Sequence, residues 1–291
     1  MNWDRAKTML IICLLGLNAF LAAMYFVYED DYVTSSEDIE VVIDILSANG
    51  ILLDQLYVDV PRRYEPVDQI VLQPAEYSTA QLLEAFFTDT SGISQTFEFG
   101  NTIFTSPEGT LTIMRHIVRF EPSQHVPGVM GAALEGDPIF PLTSPPPLFE
   151  RFVRDNAHLF PNFEFDVIHR ENGYDYVIEF RQNHMGYTIL SNMLRFTVGP
   201  YGVTEVLYVY YPPVEFVGVV QPIISAPQAL FMFKLGNAHI DKPITVTRID
   251  LVQNLVFSAD GSGRITTAPY YRVFSDRGEP MLINAITGDI Q

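Results

Sequence analysis

The chain has 291 residues, 48% of them apolar and 18% charged, enough for one large domain or two ordinary ones around a proper core, so global disorder is excluded. Acidic residues outnumber basic ones 35 to 17, giving a formal charge of −18 and a pI near 4.5, which opposes contact with a phosphate backbone and removes nucleic acid from the expected partners. The single cysteine, Cys13, excludes a disulfide scaffold, a four-thiolate zinc site and any CxxC redox pair.

The charge is unevenly placed. Residues 1–8 set Asp4 against Arg5 and Lys7, a net of +1, and the remainder carries 15 basic and 34 acidic residues, a net of −19. Between them, Met9–Tyr28 is an uncharged run of 20 residues, which at roughly 1.5 Å per residue spans about 30 Å, the thickness of a hydrocarbon core. A cleaved signal peptide wants a shorter apolar core, and Leu21-Ala22-Ala23 lies inside this one with Met24-Tyr25-Phe26-Val27 still to come. A lipoprotein site at Leu10-Ile11-Ile12-Cys13 would place bulky Ile12 before the cysteine, and most of the apolar run follows it. An uncleaved transmembrane helix over 9–28 fits best, with Arg5 and Lys7 holding residues 1–8 in the cytoplasm and the C-terminal body outside the cell membrane. Tyr25 and Tyr28 then lie near the far interface, ahead of Glu29-Asp30-Asp31. An exterior without cysteine agrees with a cell surface where disulfides are not used.

On that helix Gly16, Ala19, Phe20 and Ala23 recur at i, i+3, i+4 and i+7, a face whose small residues let a second helix approach closely. Asn18 lies roughly opposite. Its amide is costly in an apolar layer and is either tolerated near one end of a lone anchor or satisfied by a partner.

The expected class beyond the membrane is α+β: helices packed on antiparallel sheet. Ser35–Asn49 opens with a capping pattern, continues with Ile39, Val42, Ile43 and Leu46 at helical spacing and stops at Asn49-Gly50. β-rich runs follow at Leu56–Val60 and Val67–Leu72, then a helix with Ser78 as cap and Leu82, Leu83, Phe86 and Phe87 as its apolar side. Two strands are expected at Gln95–Phe104 and Thr110–Phe120, joined by a turn at Ser106-Pro107-Glu108-Gly109. From Glu121 to Pro147 prolines and glycines dissolve the pattern into a linker, which places a boundary near 144 between a first exterior domain, 29–144, and a second, 145–291.

The second contains a weak duplication. Pro146, Phe152, Asn156, Ala157 and His158 recur as Pro227, Phe233, Asn237, Ala238 and His239 at a constant offset of 81, suggesting units at about 145–212 and 225–291. Each opens with a short helix ending near Asn-Ala-His. Strands follow at Phe163–His169, Tyr174–Gln182, Thr188–Val198 and Val203–Tyr211 in one, and at Ile244–Phe257, Arg264–Phe274 and Met281–Asn284 in the other. The closing stretch from Tyr270 to Asp289 resembles the final hairpin of a PepSY-type module.

No catalytic, cofactor-binding or metal-binding residue is nominated, and the chain is expected not to be an enzyme. The six histidines, His116, His125, His158, His169, His184 and His239, are dispersed, and there is neither an HExxH nor a GxSxG. Glu164, Asp166, Asp175 and Glu179 lie on expected strands and are able to pair, as some must among 35 acidic residues. Asp260-Gly261-Ser262-Gly263 has the flavour of a calcium loop without its closing Glu and reads as a hairpin turn. The Tyr208-Tyr210-Tyr211 and Tyr270-Tyr271 groups read either as core or as protein-contact surface.

The two ends of the chain carry a family resemblance. The start Met1-Asn2-Trp3-Asp4-Arg5-Ala6-Lys7-Thr8, running into Met9-Leu10-Ile11-Ile12 and then Leu17-Asn18-Ala19-Phe20-Leu21, resembles the YycI family, with Trp3, Arg5 and Lys7 carrying the pattern. So do Ile244–Leu251 and Ala268–Val273. The resemblance implies a non-enzymatic, membrane-anchored regulator that works with YycH and contacts the sensor histidine kinase WalK (YycG) of the two-component system WalK–WalR (YycG–YycF), which controls cell-wall metabolism. It implies no cofactor and no catalytic residue. The reading of the residues alone leaves a second possibility, an anchored module that binds a wall-derived ligand or peptide.

Overall fold

The computed structural model describes residues 14, 18, 36–54, 60, 66–123, 144–171, 175–217, 222–238, 242–257 and 264–291. By internal contacts the chain divides into a terminal unit, Met1–Val67 with Val220–Leu251 and Tyr270–Gln291, and a central unit, Asp68–Val219 with Val252–Pro269. The class is α+β, mostly sheet. No helix among the described residues is long and apolar enough to cross a membrane. The expected membrane helix, 9–28, lies outside the described residues except for Leu14 and Asn18, both helical and exposed.

In the terminal unit, α1 (Ser36–Ala48) buries Leu46 from its apolar stripe. It ends where Asn49 donates its Nδ2 to the Ile45 carbonyl at 2.7 Å and Gly50 takes φ +78°, a left-handed conformation that glycine adopts without a Cβ clash. The reversed chain enters β1 (Ile51–Leu53), which lies parallel to the start of β12 (Ile244–Phe257), Ile51 opposite Ile244. Helix α4 (Ala226–Gly236) is opened by a reciprocal capping box between Ser225 and Gln228, with Pro227 in its first turn, and buries Ala229, Leu230 and Phe233. The end of β13 (Ile265–Ser275) pairs antiparallel with β14 (Gly278–Asn284), Tyr271 opposite Ile283.

The central unit holds β2 (Ile70–Leu72), α2 (Thr79–Phe86), β3 (Ser94–Glu98), β4 (Asn101–Ser106), β5 (Gly109–Met114), β6 (Ile117–Pro122), α3 (Pro147–Asp155), β7 (Phe163–Glu171), β8 (Asp175–His184), β9 (Tyr187–Gly199), β10 (Gly202–Val209) and β11 (Pro213–Phe216). Together with its portions of β12 and β13, its strands run β11-β2-β13-β12-β9-β10-β6-β5-β4-β3, and β7 and β8 branch off at β9. Helices α2 and α3 present Leu82, Phe86, Phe149, Phe152 and Val153 to a sheet face carrying Phe104, Leu111, Phe120, Phe180 and Phe196. Phe149 and Phe152 meet Phe196 edge-on at 5.0 and 5.7 Å between ring centroids, a geometry that aligns the positive ring edge with the negative face. Each such ring removed from water contributes roughly 1.5–3 kcal/mol.

Two expected strands are corrected. Gln95–Phe104 is a hairpin rather than one strand, because Phe99 and Gly100 take φ +50° and +82° and reverse the chain between β3 and β4. Thr110–Phe120 is likewise folded back at Arg115, φ +55°, into β5 and β6. The turn at Pro107-Glu108 stands where expected, and a Cβ on Gly109 would approach the Glu121 carbonyl oxygen to 2.6 Å. The run at 56–60 is described only at Val60, and of 124–143 and 258–263, which hold most of the linker and the Asp260 turn, nothing is described. β6 pairs with β10, Phe120 opposite Val206, within the central unit.

Past residue 163 the strands follow the expected places closely, with β11 as an unforeseen addition. The helices preceding them end alike: Asn156 and Asn237, 81 apart, each donate Nδ2 to the carbonyl four residues back, Phe152 and Phe233, at 2.9 Å. β7 and β12 also start 81 apart, whereas β8 and β13 start 90 apart, the extra length residing in β12 and the connection after it.

Strand β9 changes partners in mid-course. Arg181 of β8 faces Met193, but the next residue, Gln182, faces Ile189, leaving Leu190, Ser191 and Asn192 outside the β8 ladder. Asn192, fully buried, makes up the loss: its Oδ1 accepts from the Tyr211 N–H at 2.9 Å, and its Nδ2 donates to the Tyr211 carbonyl at 2.8 Å and to Gln182 Oε1 at 2.7 Å. The amide thereby copies the backbone pair that the next rung with β10 would have supplied. Asn192→Ala leaves those groups buried and unsatisfied, so it is expected to cost about 3 kcal/mol in urea unfolding and to abolish amide-exchange protection at Tyr211.

Candidate functional site

Among the described residues each unit holds an arginine–carboxylate cluster with a deeply buried arginine, and the central unit also pairs the more exposed Arg119 with Glu205 and Glu121. In the central unit Glu179, on β8, is 4% exposed. Arg181 Nη2 reaches its Oε2 at 2.6 Å, and Arg195 of β9 approaches Oε1 through Nη2 at 2.6 Å and Nε at 2.8 Å. Arg181 also holds the Leu190 carbonyl through Nη1 and stands 3.7 Å from Asp166 of β7 through Nε. Strand register makes this cluster, since Glu179 lies opposite Arg195 across the β8–β9 pair.

In the terminal unit Asp250 of β12 plays the same part. Its Oδ2 lies 2.6 Å from Arg248 Nη2 and 2.8 Å from Arg272 Nη2, and both guanidinium carbons sit 4.7 Å from the Phe274 ring centre. Arg272 is 3% exposed. Arg181 and Arg272 each sit on the second strand after a short helix; Arg181 pairs with Glu179 of its own strand and stands near Asp166 of β7, and Arg272 pairs with Asp250 of β12.

Burial alone would raise the Glu179 carboxyl, but the Arg181 and Arg195 charges and their hydrogen bonds outweigh it and hold the group below the ordinary glutamate range. It therefore stays ionised at neutral pH with both oxygens occupied, an arrangement that fixes strands and does not deliver a proton. Two other strand carboxylates are engaged too: Asp166 near Arg181, and Glu164 accepting from Asn183 Nδ2 at 3.2 Å.

The tyrosine groups belong to the core. Tyr208, Tyr211, Tyr270 and Tyr271 are buried. Tyr208 donates to the Leu159 carbonyl and Tyr77 to that of His116, and burial raises both phenols, so they remain neutral donors. His116 packs its ring 4.5 Å from that of Tyr211; burial, then the Arg115 charge, lowers its pKa. His184 stacks on Phe216. Among the described residues no group of three or more His, Cys, Asp or Glu is placed to hold a metal ion. Exposed aromatics are found instead on hairpins and strand ends: Phe97, Phe99, Tyr201 and Phe257.

Of the residues singled out from the sequence, Trp3, Arg5, Lys7, Gly16, Ala19 and Ala23 lie outside the described residues, and Asn18 is helical and exposed. The arginine clusters had no sequence signal beyond an acidic and a basic residue two apart, Glu179/Arg181 and Arg248/Asp250, on alternating strands.

No family model matches the chain, and no curated protein matches it. Among solved structures it is similar to an uncharacterized protein from Eubacterium rectale ATCC 33656, with 13% identity and a TM-score of 0.52 over 83% of this chain and 89% of that one, a likeness of fold. It is also similar to the YpeB C-terminal domain of Bacillus megaterium, with 11% identity, a TM-score of 0.36 and coverage of 75% of this chain and 96% of that one. A third structure, YycH from Bacillus subtilis, shares 11% identity at a TM-score of 0.41 over 79% of this chain and 53% of that one. The last two likenesses are too distant to bear on function.

Glu179→Gln leaves two guanidinium groups around a neutral amide and is expected to cost about 3 kcal/mol of stability at pH 7. Because the folded carboxyl is held below its unfolded value, the wild-type advantage is complete above about pH 4.3 and is lost as the pH falls through the lower folded-state value. Urea midpoints of the two proteins, measured from pH 7 down to pH 2, are expected to converge.

Proposed function

We propose that the protein is a membrane-anchored regulator of the YycI type, acting without catalysis on a WalK-type sensor histidine kinase together with YycH. The observation that carries this reading is the amino-terminal pattern: Trp3, Arg5 and Lys7 leading directly into an uncharged run of 20 residues. The remaining 263 residues are acidic, and the described ones form an α+β exterior. The duplicated helix caps and the final β13–β14 hairpin support a tandem of PepSY-like units within that exterior.

The anchor supplies the mechanism. A helix that packs against the kinase biases a two-state signalling equilibrium only by its differential affinity for the two states. A difference of about 1.4 kcal/mol changes that equilibrium tenfold. Gly16, Ala19 and Ala23 form the close-packing face, and Asn18 offers an amide to a partner helix. The exterior adds contacts to YycH and to the sensor domain of the kinase.

Gly16→Leu with Ala19→Leu, and separately Asn18→Leu, are expected to reduce co-purification of the full chain with the kinase from native membranes by about tenfold, while its membrane content stays unchanged. If both variants associate and regulate as the wild type does, the helix-contact mechanism is wrong.

A further inference from the structure

Among the described residues three strands of the central unit have a single strand partner, β7 on the branch and β11 and β3 at the ends of the main path, and the two ends of that path are protected differently. An end strand presents a row of unpaired backbone groups, which proteins blunt with proline, bulges or charge. β11 has all three: it opens at Pro213, its register with β2 shifts between Pro213 and Glu215, and Glu215 pairs with Arg264 at 2.9 Å. β3 has neither proline nor lysine, keeps an unbroken register with β4 over five residues, and exposes every side chain. Among the described residues β4 is its sole strand partner.

The geometry of β3 defines what would pair with it. With φ positive at both Phe99 and Gly100, the hairpin has a two-residue turn of type I′, whose flanking residues Glu98 and Asn101 exchange both backbone bonds. Alternation from that pair directs the N–H and C=O groups of Gln95 and Phe97 to the free edge. Gln95 faces Phe104, which is buried in the core, so Phe97 continues the same apolar face beyond the helices at 72% exposure, with fully exposed Phe99 beyond it. Glu98, Thr96 and Ser94 occupy the other face. Between Thr88 and Met114 the charged residues are Asp89, Glu98 and Glu108, all acidic.

We propose that β3 is a strand-addition site for an extended segment of another protein that alternates apolar with basic residues. The apolar side chains lie beside Phe97 and the basic ones beside Glu98, while the backbone pairs with Gln95 and Phe97. A second copy of the chain is the poorer occupant, since it would bring another −18 of charge and another Glu98 to the same edge. The inference goes beyond the kinase reading and stands without it.

The test uses the full chain in detergent micelles and a synthetic peptide of about nine residues alternating valine and lysine, against the same peptide with glutamate for lysine. The lysine peptide is expected to bind, to slow amide exchange at residues 94–98, and to exceed the glutamate peptide in affinity about tenfold or more at low salt. Gln95→Pro removes an outward N–H while sparing the β4 ladder, and Phe97→Lys adds an edge charge; each is expected to weaken the lysine peptide about tenfold with the thermal melt unchanged. Three outcomes overturn the proposal: neither peptide binds, both bind equally, or binding persists in both variants. So does a dimer of the chain that Phe97→Lys dissolves.

Discussion

The central unit depends on a single amide. Where one edge of β9 passes from β12 to β10, the strand bulges against β8 and three residues lose their β8 partners, and the Asn192 side chain supplies a backbone-like pair with Tyr211 while holding Gln182. Both of its polar atoms are used and the residue is fully buried, so neither an apolar nor a shorter side chain meets the same demand. Just before it in the chain, Thr188 and Ile189 lie parallel to Val252 and Gln253, and Gln253 donates to the Asp68 carbonyl at 3.2 Å. One polar contact thus stands where that edge of β9 passes from the parallel pairing with β12 to the antiparallel pairing with β10.

The arginine–carboxylate clusters use a second form of the same principle. In the central unit two guanidinium groups balance Glu179 and Asp166, in the terminal unit two share Asp250, and in each case one arginine is largely kept from water. The gain over an apolar core is small, because desolvation offsets most of the Coulomb attraction. Their effect is on register: a slip of one residue in β8 would carry Glu179 to the aromatic face and strand Arg195. Charge here specifies which strands meet and in what phase.

Much of the fold was legible in the sequence. The strands after Phe163 announce themselves by alternation, and α1 and α2 by their apolar stripes and the stop at Asn49-Gly50. The hairpin at Phe99-Gly100 and the turn at Arg115 were not legible, because both use left-handed backbone at a phenylalanine and an arginine, residue types whose presence does not announce a reversal. The clusters around Glu179 and Asp250 were hidden for another reason: they exist only once the register is known. The amino-terminal features that carry the functional reading are sequence signals and remain so.

The terminal unit is closed by the two ends of the chain. β1 finds its partner in β12, Ile51 against Ile244, across nearly 200 residues, and β13 finds β14 only when the final residues are made. During synthesis the central unit can assemble most of its sheet while α1 and β1 still wait, their apolar side chains uncovered. The chain's first described helix therefore stays uncovered until the far end of the sequence has been made.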